Sequence, residues 1–344
     1  MSIKNLYCGA WSFKAPVCGV TAFTSQDGAF VQNGLFGTNV EAQSILTVAG
    51  DHLVSVSEKR SGGIVVSYRI LPDGALEKRA ELKCDTPLLS YVAASPNGRY
   101  VFVSSMGSPS IKMIRLGVDG SLTLTDEWLL TGHSVTNRQE AAKTHSVQVS
   151  PDGKLLAAAN LGADEVELFR IDYEKETLRL VQSVAVDFGR QPRHMAFHPS
   201  GMYLYLLTEA GNRIYVYRLQ DERLKELAAY DTLDPKKAPN GMAADIVISP
   251  DGKTLYSTNR GQNNIAVWHT LPSGLLDLVG HYDCGGEGPR GLYISPDGET
   301  LFCANNDSGT VTVLRLNHEM GAPEEIAQTL NVPFAACVRS NGEE

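Results

Sequence analysis

The sequence predicts an all-β fold built from repeated four-stranded units. A turn motif of serine or histidine, proline, a polar residue and glycine occurs five times, at spacings of 46 to 55 residues. The copies are Ser95-Pro96-Asn97-Gly98, Ser150-Pro151-Asp152-Gly153, His198-Pro199-Ser200-Gly201, Ser249-Pro250-Asp251-Gly252 and Ser295-Pro296-Asp297-Gly298. Proline suits the second position of a type I turn, Asp or Asn the third, and glycine the exit. Apolar residues alternate with polar ones on both sides of each turn, which indicates β-strands.

Each repeat has room for four strands. The turn joins the first two, as in SVQV-SPDG-KLLAAAN, and a third strand is predicted at residues 165–170, 213–218, 264–268 and 310–315. A second turn, such as residues 271–275, leads into a weaker fourth strand. Four strands within 45 to 50 residues are typical of a propeller blade.

The blade count is seven. A degenerate turn at Val48-Ala49-Gly50-Asp51 adds a sixth hairpin, residues 5–32 supply a seventh unit that lacks one strand, and residues 334–339 form an orphan strand. Pairing of these N- and C-terminal strands would close the ring and remove open sheet edges. We therefore expect one seven-bladed β-propeller domain over residues 1–344. Two stacked β domains are the alternative, but no Pro/Ser-rich or charged linker divides the chain.

Composition restricts the possible partners. The 344 residues carry a net charge of −9, which argues against a nucleic-acid surface, because phosphate contacts require a basic patch. No run of 18 apolar residues could span a membrane, and the start MSIKNLYCGAWSF lacks the apolar region of a secretory signal. The six cysteines are scattered singly, as in a reducing compartment. We expect a cytoplasmic monomer or weak homo-oligomer that binds a small anionic substrate, and neither nucleic acid nor membrane.

The hairpins predict which side chains meet at one mouth of the central channel. If the turns lie on one face, residues six before each proline and eight after each glycine lie on the other. Those positions hold Ser90, His145, Arg193, Ala244, Arg290, Glu58, Met106, Leu161, Glu209, Arg260 and Asn306. Polar groups are densest at the ends of the hairpin over residues 192–209. Two longer connections, residues 129–144 and 231–244, reach the same face, and the first has the composition of a short helix at 138–143.

The residue types at this mouth suit acid–base chemistry on an anion. Arg193 and Arg260, with Arg290 as a third, offer forked donors for a phosphate, a carboxylate or a developing oxyanion. Glu209 ends an apolar strand, and desolvation would raise its pKa toward that of a general base or acid; a salt bridge to Arg193 is the alternative. His145 could relay protons, and a hydrogen-bonded structural role is its alternative.

Neighbouring polar residues are assigned to the scaffold. By strand alternation, His194 should point away from Arg193, and His198 replaces serine in the turn, so both are read as structural. Asp164 and Glu165 belong to a turn on the site face. No HExxH, HxxEH or GxSxG motif is present, and the acids are too few for a calcium cage. We therefore expect no metal, no cofactor and no serine nucleophile, although unrelated propeller lactonases do use a metal.

Several of these residues carry a family resemblance. The segment from Gly189-Arg190-Gln191-Pro192-Arg193-His194 to Glu209, with Asn259-Arg260-Gly261 and Pro289-Arg290-Gly291, resembles the seven-bladed lactonase family. That family includes propeller-type 6-phosphogluconolactonases and the fungal carboxy-cis,cis-muconate cyclase. Resemblance to the muconate cyclase branch implies a site of one His, two Arg and one Glu on one face, which match His145, Arg193, Arg260 and Glu209. The blades around Ser90 and Met106 match poorly, and no residue is assigned there.

The sequence is compatible with three functions. The first is metal-independent hydrolysis of a sugar-acid lactone, as in 6-phosphogluconolactonase, with Glu209 and His145 catalytic and Arg193, Arg260 and Arg290 binding the substrate. The second is a muconate-type cycloisomerase at the same site. The third is a non-catalytic propeller that binds protein partners, which would favour an aromatic, apolar face over one rich in Arg and His.

Overall fold

The fold is a ring of β-sheets, described by a computed structural model for residues 3–12 and 17–341. Those residues form 28 strands and a single turn of 3₁₀ helix, Asn137–Gln139. In chain order the strands are β1 (Asn5–Ala10), β2 (Cys18–Gln26), β3 (Ala29–Glu41), β4 (Gln43–Ala49), β5 (His52–Ser57), β6 (Gly63–Ile70), β7 (Leu76–Cys84), β8 (Leu89–Ala94), β9 (Tyr100–Ser105), β10 (Ser110–Leu116), β11 (Leu122–Leu129), β12 (Thr144–Val149), β13 (Leu155–Asn160), β14 (Glu165–Asp172), β15 (Thr177–Ala185), β16 (Pro192–Phe197), β17 (Tyr203–Thr208), β18 (Arg213–Gln220), β19 (Arg223–Asp231), β20 (Met242–Ile248), β21 (Thr254–Arg260), β22 (Asn264–Thr270), β23 (Leu276–Asp283), β24 (Pro289–Ile294), β25 (Thr300–Asn305), β26 (Thr310–Leu316), β27 (Pro323–Asn331) and β28 (Ala335–Asn341).

The described strands form seven four-stranded antiparallel sheets, which confirms the predicted seven-bladed β-propeller. Blade 1 has the order β28-β1-β2-β3, and blades 2 to 7 each use four consecutive strands, from β4–β7 to β24–β27. β28 pairs with β1, with Tyr7 opposite Arg339, so the chain ends close the ring as expected. The innermost strand of each blade faces the central channel.

The repeated turn holds each hairpin by side-chain bonds. In blade 4, the Ser150 hydroxyl donates to Asp152 Oδ1 (2.7 Å) and accepts from the Leu155 amide (2.9 Å). Gly153 leaves the turn at φ +74°, a conformation that costs glycine little. In blade 5, His198 takes the place of serine: its Nδ1 contacts Ser200 Oγ at 2.8 Å and its Nε2 contacts the Gly252 carbonyl of the next blade at 3.1 Å.

The core lies between neighbouring sheets. One apolar cluster joins Leu155 and Ala157 of blade 4 to Met195, Leu204 and Tyr215 of blade 5, all buried. Burying a side chain of leucine size contributes about 1.5–3 kcal/mol relative to leaving it exposed. Because every blade packs against two others, the ring holds its innermost strands in fixed positions around the channel.

A β-bulge interrupts the innermost strand of every blade at the same level. In each case the ladder to the second strand skips one residue, or two in blade 6, near the start of the innermost strand. From blade 1 to blade 7 the skipped positions are Ala336, Ser44, Ser90, His145, Arg193, Ala244 with Asp245, and Arg290. Bulges leave a residue outside the ladder and re-aim its side chain.

The connection before β12 differs from its predicted helix at residues 138–143. Only Asn137–Gln139 is helical, as one 3₁₀ turn. The Lys143 amide bonds to the Asn160 side chain (3.1 Å), and the buried Gln139 side chain donates to the Leu161 carbonyl (2.8 Å). These bonds to blade 4 replace the backbone bonds that would continue a helix.

Candidate active site

A cavity of about 450 Å³ opens at the channel mouth opposite the turns. All five predicted site residues line it: His145, Arg193, Glu209, Arg260 and Arg290. The other lining residues are Trp11, Glu58, Leu88, Met106, Arg138, Lys143, Gly288, Asn306 and Asp307. Eight of the eleven positions counted from the turns therefore line the cavity, and Ser90, Ala244 and Leu161 do not. The chemical roles of the five remain predictions.

A second cavity, of about 500 Å³, opens on the face with the turns. Arg339 is its one charged lining residue among those described, and neither histidine nor acid lines it. A nucleophilic water in this cavity would have no histidine or carboxylate of the described chain as a base.

Glu209 lies at the centre of a cluster of guanidinium groups. Its Oε1 accepts a hydrogen bond from Arg260 Nη2 (2.7 Å), and its Oε2 pairs with Arg138 Nη2 at 3.0 Å and with Arg193 Nε at 3.9 Å. Burial alone would raise the pKa of Glu209, but the three guanidinium charges outweigh it and lower the pKa to about 2. The expectation that its pKa is raised is therefore wrong. Glu209 is a firmly ionised carboxylate and a weak base.

His145 is a neutral imidazole at neutral pH. It is 7% exposed at its β-bulge, and its Nδ1 is buried without a hydrogen-bond partner among the described residues. Burial, and then the charges of Arg193 and other nearby cations, hold the pKa of His145 well below 6.5. A neutral imidazole beside a cavity can accept a proton, so His145 suits the role of base better than Glu209 does.

Two arginines are fixed by backbone carbonyls as well as by Glu209. Arg193 is 2% exposed and donates through Nη1 to the Ala244 carbonyl. Burial and then the charge of Arg260 lower the pKa of Arg193 to about 9, so it stays charged at neutral pH. Arg260 donates through Nη2 to the Ala243 carbonyl (3.0 Å) and through Nε to the Met242 carbonyl (3.3 Å). Both guanidinium groups are held ready before a ligand arrives.

The opposite wall is built from Arg290, Glu58 and Trp11. Arg290 Nη2 lies 3.7 Å from Glu58 Oε2, and its guanidinium carbon lies 4.1 Å from the centre of the Trp11 ring. Burial raises the pKa of Glu58, and Arg290 partly opposes that shift. Asn306 holds this wall by donating to the Trp11 carbonyl (3.0 Å). Counting from the turns had placed Glu58 at the mouth, but the degenerate blade gave no reason to assign it a role.

The sequence reasoning missed Arg138, which comes from the inserted connection and not from a blade. Its Nη1 donates to Gln191 Oε1 (3.1 Å), while its carbonyl accepts from Lys143 Nζ (2.6 Å). The buried Asp164 anchors both segments: it accepts from Ser134 Oγ (2.5 Å) and from the Gln191 amide (2.7 Å). The 55-residue spacing before Pro151 was the one sequence signal of this insertion.

His194 packs beside His145 but is not among the lining residues of the cavity. The bulge at Arg193 interrupts the ladder, and the His194 ring centre lies 5.1 Å from that of His145. Its Nδ1 contacts Asp245 Oδ1 at 2.6 Å. Burial, followed by the charge of Arg193, lowers the pKa of His194 to about 4. The assignment of His194 to the scaffold stays a prediction.

The cavity is electropositive although the chain is acidic. Four arginines and Lys143 line it, against the three carboxylates Glu58, Glu209 and Asp307. The described part of the chain holds no group of three His, Cys, Asp or Glu side chains arranged around a possible metal position. Five cysteines, Cys8, Cys84, Cys284, Cys303 and Cys337, are free thiols, and the side chain of Cys18 lies outside the described residues. Within residues 3–12 and 17–341, no helix has the length and apolar character needed to cross a membrane.

Comparisons with known proteins agree with this architecture. A family model described as "Lactonase, 7-bladed beta-propeller" matches residues 13–340. A 6-phosphogluconolactonase of Formosa agariphila is 28% identical over 345 residues, covering 95% of this chain and 96% of the relative. A 6-phosphogluconolactonase of Bacillus subtilis is 26% identical over 294 residues, covering 83% of each chain.

Solved structures show the same ring. The periplasmic gluconolactonase of Pseudomonas aeruginosa superposes with a TM-score of 0.88 at 27% identity, covering 98% of this chain and 99% of the other. A protein of Lactobacillus plantarum reaches 0.91 at 24% identity, covering 99% and 100%, and supports the fold alone. Because one relative is periplasmic, the cytoplasmic location stays a prediction. By its family match along nearly the whole chain, the protein belongs to the seven-bladed β-propeller lactonase family, and the prediction of an enzyme of lactonase type is confirmed.

Proposed function

We propose that the protein hydrolyses the lactone of an anionic sugar acid, with 6-phosphogluconolactone as the first candidate. The observation that carries the proposal is a neutral, unpaired imidazole, His145, beside four guanidinium groups in one cavity. The guanidinium groups supply an anion site and donors for a carbonyl oxygen, and the imidazole supplies a base. Lactone hydrolysis is preferred over cycloisomerisation because the family model and the named relatives are lactonases.

The proposed reaction needs one proton acceptor. His145 takes a proton from water as the water oxygen attacks the lactone carbonyl carbon, and the carbonyl π electrons move to the oxygen. Arg193 and Arg260 donate to that oxyanion, which has most charge in the transition state. When the carbonyl re-forms, the ring C–O bond breaks and His145 returns the proton to the leaving oxygen. The products are a hydroxyl group and a carboxylic acid, and the acid then releases its own proton to the solvent and becomes a carboxylate.

The low pKa of His145 fits an anionic substrate. Burial, and then the cations around His145, depress its pKa in the free enzyme. A bound phosphate or carboxylate partly neutralises those cations and so removes part of this depression, which makes His145 a better general base. Glu209 serves as the fixed counter-charge that keeps Arg138, Arg193 and Arg260 together, and Glu58 offers an acceptor for substrate hydroxyl groups.

The test is a pH-stat assay, corrected for spontaneous hydrolysis, on 6-phosphogluconolactone, gluconolactone and a muconolactone. We expect the phosphorylated lactone to have the highest kcat/KM, and His145→Gln to lower its kcat by about 10²-fold or more. Activity should persist in EDTA, and Arg290→Gln should act mainly on KM. Equal turnover of all three lactones would contradict the anion site, and full activity of His145→Gln would remove the proposed base. Loss of activity in EDTA would exclude a metal-free reaction.

A further inference from the structure

A buried pair, Asp245 and His194, lies directly behind His145 and has no part in the mechanism above. His194 is 3% exposed and Asp245 7% exposed, and their 2.6 Å contact joins blade 5 to blade 6. Asp245 is also bound by two backbone amides, from Ile246 (2.9 Å, to Oδ1) and Leu292 (2.7 Å, to Oδ2). This carboxylate is therefore held rigidly by blades 6 and 7.

The fixed carboxylate determines which nitrogen of His194 carries the proton. An ionised carboxylate only accepts hydrogen bonds, so His194 Nδ1 must be the donor. Burial would raise the pKa of Asp245, but His194 and the Leu292 amide outweigh it, and the net shift is downward. With His194 neutral, its Nε2 is left as an acceptor, and this atom is buried and has no partner within the described chain.

The ring of His194 packs against the ring of His145, in which one buried nitrogen also lacks a hydrogen-bond partner among the described residues. The His145 and His194 ring centres are 5.1 Å apart and the ring planes are inclined by 66°. His145 Nδ1 and His194 Nε2 are both buried and unpaired. For the neutral His145 to accept a proton at Nε2, its single hydrogen must already be on Nδ1. Once the proton is taken up, both nitrogens are donors.

We propose that Asp245 and His194 are positioning residues that hold His145 in the Nδ1–H tautomer and stabilise its protonated form during lactone hydrolysis. The Nδ1–H of His145 shares its hydrogen with Nε2 of His194 after a small rotation of the rings, and no proton leaves His145 by this route. In this arrangement a second buried group orients the base, as in catalytic triads. The role of His145 as the base rests on the proposed function. The tautomer of His145 does not, because it exists without substrate.

The rings of His145 and His194 have mainly positively charged neighbours. His145 is influenced by Arg193, His194, Arg290 and Arg138, and His194 by Arg193, Asp245 and Arg290. The Tyr91 ring also contacts His194, at 5.0 Å between centres. Asp245 is the single acid among the groups that act most strongly on the two rings, and the next carboxylates, Glu209 and Glu58, are paired with Arg193 and Arg290.

The first experiment is long-range ¹H–¹⁵N NMR of the ¹⁵N-histidine protein without substrate, with His145→Gln and His194→Phe used for assignment. We expect the wild type to show His194 protonated at Nδ1 and His145 also protonated at Nδ1. In Asp245→Asn, the asparagine keeps the shape but loses the charge, and the His145 signals should shift toward a mixture of tautomers. Unmoved His145 signals in a folded Asp245→Asn protein would overturn the proposal, whatever the enzyme's substrate is.

The second experiment uses turnover of 6-phosphogluconolactone. Asp245→Asn should lower kcat about 10-fold at unchanged KM, a smaller loss than that of the base itself, and should move the acid limb of the pH profile. Tyr91→Phe, which keeps a ring against His194, is the control and should leave kcat unchanged. A fall in urea midpoint with no change in kcat, pH profile or NMR signals would assign the pair a structural role only. Absence of turnover in the wild type would reject the proposed function and leave the NMR result standing.

Discussion

At the scale of single residues, positive charges outnumber negative charges around Glu209. Glu209 contacts three guanidinium groups, and none of them has a second carboxylate within ion-pair distance among the described residues. One acid therefore holds three bases together and leaves a net positive charge for a ligand. This imbalance makes Glu209 a support of the anion site, although its position at the end of an apolar strand suggested a base.

The ionisation of Glu209 predicts how stability depends on pH. Because its folded-state pKa, about 2, lies below the unfolded value near 4.5, its contribution is complete above pH 4.5 and is lost as the pH falls toward 2. We expect Glu209→Gln to be less stable than the wild type at pH 7, and this difference to shrink between pH 4.5 and 2. Urea unfolding at several pH values measures it.

The control for that measurement is Glu325→Gln. Glu325 pairs with Arg315 at 2.8 Å on the surface, and both side chains are more than half exposed. Exposed ion pairs contribute roughly 0–1 kcal/mol, so this variant should follow the wild type at every pH. A Glu209→Gln deficit that stays constant down to pH 2 would contradict the assigned pKa.

Which residues could be predicted depended on where they sit in the repeat. His145, Arg193, Glu209, Arg260 and Arg290 were found by counting from turns, since a hairpin's register follows from its turn. Arg138 and Trp11 lie outside the hairpins, so no count reaches them. The contacts of His194 with His145 and Asp245 join three blades, and alternation along a single strand does not reveal them. Arg193 and Arg260 lower the pKa of Glu209 most, and Arg138 adds to this shift from a connection that the count does not cover.

At the scale of elements, the inserted connection before β12 completes a site that the blades leave open. Asp164 holds it, at a backbone φ of +56° that asparagine and aspartate tolerate better than other residues. Its carboxylate accepts the amides of Gly189 and Gln191, at 2.6 and 2.7 Å, on the segment leading into β16. One side chain thus sets the distance between Arg138 and Arg193.

Replacement of Asp164 should affect both stability and substrate binding. Asp164→Ala leaves two backbone donors without acceptors, which costs about 1–3 kcal/mol, and adds strain at positive φ. We expect a lower urea midpoint and a raised KM for 6-phosphogluconolactone, because Arg138 is released. Asp164→Asn keeps one acceptor oxygen and tolerates this φ, so its urea midpoint should fall less and its KM should rise less than in Asp164→Ala. Equal losses in the two variants would argue against this anchoring role.

At the scale of the whole molecule, the ring is closed by a strand from the C-terminal part of the chain. β28 is the innermost strand of blade 1, yet it comes from the opposite end of the chain from β1–β3. Asn306 of blade 7 reinforces this closure by donating to the carbonyls of Phe334 (2.9 Å) and Ala335 (3.0 Å). β28 therefore belongs to blade 1 and is also bonded to blade 7.

Removal of residues 335–344 should open the ring. The truncation exposes the edge of β1 and the apolar residues that β28 covers, and exposed edges promote association. We expect loss of cooperative unfolding and larger species in size-exclusion chromatography. Removal of residues 342–344 alone retains β28 and should leave the urea midpoint unchanged. A monomeric, cooperatively unfolding product of the longer truncation would show that closure contributes little.

The bulges give this scaffold a set of interchangeable positions. Each blade offers one side chain, or two in blade 6, that the sheet ladder does not constrain. Three blades present His145, Arg193 and Arg290 to the cavity, blade 6 has Ala244 with Asp245, and the other three have serine or alanine. A substitution at one of the small positions can change the shape or charge of the cavity without altering strand pairing. New specificities can therefore arise on this ring one blade at a time, by exchange of single residues, with the rest of the fold preserved.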